Sequence, residues 1–343
     1  MTSRPNDISA EDKDLLARAA SWDKCTSLSD CSHLRLEELA KKEGIEFATA
    51  VLYDRVLRNE TNRTFFKQVQ IIDPFHAVQP TLIGIIPGAF YREHKHSGAD
   101  GARLVAIGNA MGCPVKLIPV ESFGSLTRNA GFISEWLSQN RNQRVLLVSL
   151  SKGSADLKVA LSLPEAEVLF GNVVAWISMS GLPQGTPLVA WLRRQRFRQF
   201  GVRLLLRFRG QRYSVVEQLR SEVDGPLAVW PALPPSLRVI HILGFPLRRH
   251  LAHPWASRAY ERLAPLGPND GGGFLLADVA CLPGTVLPVW GADHYLQPAW
   301  DVEPLLRQVL AEVVAPQSAL RQANQRRSPY SVPMRPTIRT TKT

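Results

Sequence analysis

The side chains with the clearest chemical potential are Ser151, Asp270 and His294, far apart in a chain of 343 residues. A serine hydroxyl attacks a carbonyl carbon only when a base takes its proton. An imidazole serves as that base once a third group fixes its orientation. Ser151 sits at the centre of Ser149-Leu150-Ser151-Lys152-Gly153, which differs at its first position from the G-x-S-x-G turn. Such a turn reverses the chain within a residue or two, so the positions flanking the serine must be small. It delivers the hydroxyl to the tip of a strand, beside helix N–H groups that favour a developing negative charge. His294 lies in Gly291-Ala292-Asp293-His294-Tyr295, just past the apolar run Thr285–Trp290. For the acid, Asp270 in Asn269-Asp270-Gly271 lies 24 residues before His294, and Asp278 is its rival. Asp293, adjacent to the histidine, would need unusual geometry to reach the ring Nδ1. The plainer reading makes Ser151 and Ser154 helix caps and Asn-Asp-Gly a turn.

These residues need a frame, and the apolar pattern supplies one. Arg144–Ser149 is a short buried-strand pattern that runs into Leu157, Val159, Ala160 and Leu161 at helical spacing. Thr81–Ile86, Val115–Val120, Val173–Ser178, Arg238–Leu243 and Thr285–Trp290 read as further strands. Helices are predicted around Arg103–Met111 (stopped by Gly112 and Pro114), Leu126–Leu137 and Ala256–Leu263. Upstream, residues 1–30 form a polar arm and Leu34–Arg58 two helices divided at Gly44. Phe65–Ile72 is then a first strand, closed by a turn at Asp73-Pro74. Short strands alternating with amphipathic helices predict an α/β fold with a mostly parallel central sheet and helices on both faces. In such sheets reactive groups gather at the carboxyl ends of strands. Among the other histidines, His241 falls inside a strand and reads as a core residue. His94-x-His96 has no carboxylate or thiol company, so no metal site is expected.

From about residue 65 to 315 the chain resembles the α/β-hydrolases. Ser151-Lys152-Gly153-Ser154-Ala155-Asp156 resembles the S-K-G-G-x-D elbow of some lipases and esterases. Asn269-Asp270-Gly271 resembles the N-D-G loop that carries the acid in bacterial lipases. The order Ser, Asp, His is also that of the family. The resemblance implies hydrolysis of small-molecule or lipid carboxylic esters by Ser151, Asp270 and His294, with no cofactor. It implies an oxyanion hole built from the backbone N–H of Lys152 and that of Ala89 or Phe90, in the turn Pro87-Gly88-Ala89-Phe90. Acyl transfer or thioester hydrolysis would use the same groups, and a non-catalytic scaffold docking on a membrane or an acidic partner would use none of them. Two departures stand out: Ser149 replaces the usual Gly, and Gly271 is followed by Gly-Gly-Phe instead of a branched apolar pair. The second leaves Asp270 and Asp278 both open. The expected organisation is a helical arm over 1–64, a hydrolase domain over 65–315 with a cap insertion at 184–236, and a disordered basic tail over 316–343.

The net charge of +11 is uneven. Residues 188–220 hold nine arginines against Glu217 alone, and 316–343 hold five arginines and a lysine with no acid, so the rest of the chain is slightly acidic. In the cap, arginines alternate with Phe197, Phe200, Leu204 and Phe208. Such helices can roof an acyl pocket while resting on anionic headgroups, or can be a solvated face with snorkelling arginines. No basic strand rich in aromatic residues is present, so nucleic acid is not an expected partner. Cys25, Cys31, Cys113 and Cys281 are too few and scattered for a disulfide framework. With no leader-like or membrane-spanning run, a cytoplasmic location is expected.

Overall fold

Six strands pair in parallel in the order β2-β1-β3-β4-β5-β6: β1 (Leu82–Ile86), β2 (Val115–Leu117), β3 (Val145–Leu150), β4 (Val173–Met179), β5 (Arg238–Phe245) and β6 (Thr285–Trp290). The computed structural model describes residues 8–71, 80–94, 97–251, 253–296 and 302–315. The expected Asp73-Pro74 turn, His96 and the basic tail lie outside the described residues. The chain steps outward from β1 to β2, then crosses back to place β3 on the other side of β1. That reversal opens a crevice at the carboxyl ends of β1 and β3, where open parallel sheets carry their ligands. β1 is buried throughout and β3 nearly so, as strands covered on both faces must be.

One face of the sheet carries α4 (Glu60–Ile71), α5 (Ala102–Ala110) and α13 (Glu303–Val314), whose Phe65, Leu104 and Leu310 meet Ile83, Val148 and Ile240. The other face carries α6 (Leu126–Gln139), α7 (Gly153–Leu161) and the short α8 (Ala166–Leu169), with Ile133 and Leu157 on Leu147 and Trp176. On the same face, α1 (Ala10–Ser21), α2 (His33–Glu43) and α3 (Ile45–Arg58) cover β5 and β6 through Val51, Leu52, Phe245 and Trp290. Between β4 and β5 lie α9 (Leu188–Arg193), α10 (Arg196–Phe208) and α11 (Ser214–Gln218), and α12 (Pro254–Leu263) follows β5.

Residues 65–71 are helical, which corrects the expected first strand. Asn62, Phe65 and Val69 recur at helical spacing and are buried, and α4 packs on α13 and β6. Asn62 accepts the Val286 N–H at 2.8 Å and donates to Val56 O at 3.0 Å, so the boundary drawn at 64/65 falls within a helix bound to the sheet.

The N-terminal helices are fixed by buried polar contacts as well as by area. Asp12 on α1 accepts from Trp290 Nε1 (3.1 Å), His250 Nε2 (3.0 Å) and Arg249. Burial pushes its carboxyl up, but these donors and charges pull it below the ordinary aspartate range. A depressed carboxyl stabilises the fold above its unfolded pKa of about 3.9 and loses that contribution as pH falls through the folded value. Asp12→Ala is expected to cost about 2 kcal/mol in urea unfolding at neutral pH, and the deficit should shrink as the pH falls below about 4.

Candidate active site

The turn after β3 is strained at one residue. Ser151 takes φ of 46°, a left-handed conformation that costs a non-glycine residue about 1–2 kcal/mol. Its backbone is held on both sides: Ser151 N donates to Met179 O (3.1 Å), while Ser151 O accepts from Ser154 N and Leu182 N, each at 3.1 Å. Gly153 permits the close approach of β1, since a Cβ there would lie 2.6 Å from Ile86 O and 2.7 Å from Pro87 O. Ser151 is therefore presented half-buried at the first turn of α7, whose unpaired N–H groups carry partial positive charge.

Ser149, in place of the elbow's usual glycine, is accommodated by a buried hydroxyl chain. Its Oγ accepts from Trp176 Nε1 at 2.7 Å and bonds Ser154 Oγ at 2.7 Å, which in turn bonds Ser178 Oγ at 3.0 Å. Lys152 turns inward to pair with Asp156 at 2.6 Å, and Asn129 Nδ2 donates to the other Asp156 oxygen at 3.0 Å. The sequence alone does not carry these supporting contacts. The serine spacing and the i, i+4 Lys-Asp pair were visible there, but Trp176, Ser178 and Asn129 come from distant segments.

His294 stands in the loop after β6, its N–H on Asp270 O at 2.7 Å. Its Nδ1 lies 2.6 Å from Asp270 Oδ2 and its Nε2 2.9 Å from Ser151 Oγ. With Asp270 ionised, Nδ1–H donates to the carboxylate and Nε2 is left to accept the Ser151 proton. The other carboxylate oxygen accepts the N–H groups of Gly272 (2.8 Å), Gly273 and Phe274 (both 3.0 Å). Full burial pushes the Asp270 carboxyl up, but His294 and these N–H groups bring it below its usual range. Burial lowers the His294 imidazole, yet the Asp270 charge and hydrogen bond outweigh this and raise it above its ordinary value. The glycines after Asp270 are required by contact: a Cβ on Gly272 would lie 1.9 Å from His294 Cγ, and Gly271 and Gly273 have φ of 75° and 145°.

Ser151, Asp270 and His294 are thus adjacent. Asp278 is elsewhere, its carboxylate 2.6 Å from His33 Nε2. Asp293 Oδ1 accepts the Tyr295 N–H at 2.9 Å. Of the two candidate oxyanion donors in the turn after β1, Phe90 is corrected: its N–H donates to Ser122 O at 2.9 Å, at a residue with φ of 58° whose ring stacks on Phe123. Ala89 and Lys152 remain, on segments that touch. A Cβ on Gly88 would lie 3.4 Å from Leu150 O and 3.5 Å from Ser151 Cβ. His241 is a satisfied core residue, its Nε2 3.1 Å from Pro283 O.

A parallel sheet with a strained serine between strand and helix, followed in chain order by aspartate and histidine at the same edge, decides the fold. It is the α/β-hydrolase fold. No family model matches the chain, and no curated protein matches it in sequence. Among solved structures it is similar to a metagenomic carboxyl esterase (21% identity, 73% of this chain and 76% of the other, TM-score 0.46). It is similar also to a Bacillus licheniformis lipase in mature form (18%, 65% and 88%, 0.46) and to Aspergillus fumigatus lipase B (12%, 90% and 92%, 0.30).

The hydroxyl chain behind the elbow carries its own test. Ser149→Ala would leave the Trp176 N–H buried without its acceptor. It should lower unfolding free energy by about 1–3 kcal/mol in urea titration, whereas Ser149→Thr, which keeps the hydroxyl, should lose less.

Proposed function

We propose that the protein hydrolyses carboxylic esters through an acyl-enzyme on Ser151. The observation that carries this reading is the continuous path Ser151 Oγ–His294 Nε2 and Nδ1–Asp270, at 2.9 and 2.6 Å, under a buried carboxylate. As Oγ bonds to the ester carbonyl carbon, His294 Nε2 takes its proton and Asp270 stabilises the imidazolium. The carbonyl oxygen becomes an oxyanion, which the N–H groups of Lys152 and Ala89 would receive; one such donor is worth about 3–4 kcal/mol in the transition state. Collapse breaks the bond to the alcohol oxygen, and His294 returns its proton to that oxygen. Water then attacks the Ser151 ester, giving its proton to His294. The bond between the acyl carbon and Oγ then breaks, His294 returns the proton to Oγ, and the carboxylic acid leaves.

The test is hydrolysis of p-nitrophenyl esters of graded acyl length. Wild-type protein should release p-nitrophenol catalytically, and Ser151→Ala should lose at least about 10⁴-fold in kcat/KM while remaining folded. Full activity in that variant would remove Ser151 from the reaction.

The pH profile follows from the imidazole. Its charged form cannot accept the serine proton, and its pKa is raised, so activity should fall as the medium is acidified. The midpoint of that limb should lie above the ordinary histidine value of about 6.5. Asp270→Asn removes the charge responsible. It should move the midpoint of kcat/KM down and reduce its plateau by about 10⁴-fold.

A further inference from the structure

Helix α10 buries one line of residues and exposes another. Leu206 is buried and Val202 half-buried against Phe123, beside Ala89 and Phe90 of the turn after β1. On the outer side, Phe197, Phe200, Leu204 and Phe208 recur at spacings that keep them on one stripe over three turns. They are 96%, 68%, 44% and 81% exposed. At 100° per residue, Arg196, Arg203 and Arg207 line one rim of the stripe and Arg198 the other, all exposed. The neighbouring carboxylates are engaged elsewhere: Glu217 and Glu222 pair with Arg193, and Asp224 with Arg220. Among the described residues, no carboxylate pairs with the four rim arginines.

Three phenylalanines in line on an exposed face are unfavourable in water unless something covers them, at about 1.5–3 kcal/mol for each side chain fully buried. We propose that α10 docks on an anionic lipid surface, its Phe/Leu stripe entering the boundary between headgroups and acyl chains while the rim arginines meet the phosphates. The charge pattern selects this occupant. A second copy would bring two arginine rims together, whereas an anionic interface offers apolar depth under the stripe and negative charge beside both rims. Because the inner face of α10 rests on Phe90 and Phe123, docking there would bring the edge of the sheet that holds Ser151 close to the lipid. The binding itself is independent of the hydrolytic reading, since a lipid surface can be held whether or not Ser151 reacts.

The experiment is co-sedimentation of the full chain with vesicles of phosphatidylcholine alone and of phosphatidylcholine mixed equally with phosphatidylglycerol. Binding to the mixed vesicles only, weakening as salt is added, is expected. The triple variant Arg196→Gln, Arg203→Gln, Arg207→Gln should partition about 100-fold more weakly. Phe197→Ser with Phe208→Ser should also release the protein, and unfolding midpoints should show both variants to be folded. Equal binding to both vesicle types would overturn the proposal. So would undiminished binding of the folded triple variant, which would move the attraction to the basic tail. A dimer in sedimentation velocity that the Phe variant abolishes would overturn it too, assigning the stripe to a second copy.

Discussion

The structure depends on keeping one carboxylate ionised where no water reaches it. Asp270 is fully buried, and an isolated charge in that position would cost several kcal/mol or take up a proton instead. Three backbone N–H groups on one oxygen and the His294 ring on the other offset that cost. The loop geometry follows from this requirement. Positive φ at Gly271 and Gly273 points successive N–H groups at a single oxygen, and the bare Cα of Gly272 lets the imidazole lie against the backbone. The histidine loop is admitted in the same way, since a Cβ on Gly244 would lie 2.3 Å from Ala292 O.

The serine meets this pair because the sheet reverses its order between β1 and β3. Strain at Ser151 is maintained by hydrogen bonds to Met179 and Leu182 and by the fit of Gly153 against the end of β1. Ser149 departs from the usual elbow without loosening it, because Trp176, Ser154 and Ser178 give its hydroxyl partners on the sheet side. The same economy of space explains Gly181: a Cβ there would lie 2.1 Å from Ser178 Oγ and 2.3 Å from Ser154 Oγ.

What could be read from the sequence was local or periodic. The β3 run, the small residues around Ser151, the histidine just past β6 and the Asn-Asp-Gly loop each carry their signal within a few residues. What could not be read depends on contacts between distant segments. Phe90 could not be separated from Ala89 without knowing that Ser122 takes its N–H. Asp278 could not be set aside without His33, 245 positions away. The Gly-Gly-Phe departure after Gly271 leaves the acid open between Asp270 and Asp278 until the His294 ring is seen against Gly272. Residues 65–71 failed for another reason. Phe65, Phe66, Val69 and Ile71 read as an apolar strand in a short window, and their helical period emerges only when Asn62 is counted as a buried position.

Helix α10 and the core obey different constraints. Buried charges in the core are held by polar partners, Lys152 by Asp156 and Lys158 by the Leu227 carbonyl, whereas the arginines of α10 are exposed, Arg198 lying over the Trp191 ring and Arg203 over that of Tyr213. The central claim concerns the core: in the proposed reading, Ser151 becomes nucleophilic through a neutral His294 imidazole that the buried Asp270 carboxylate orients. Its most direct test is peptide mapping by mass spectrometry after incubation with a fluorophosphonate. The account predicts a single adduct on the peptide containing Ser151, absent when His294 is changed to Ala. An adduct on a different serine, or none on folded wild-type protein, would contradict it.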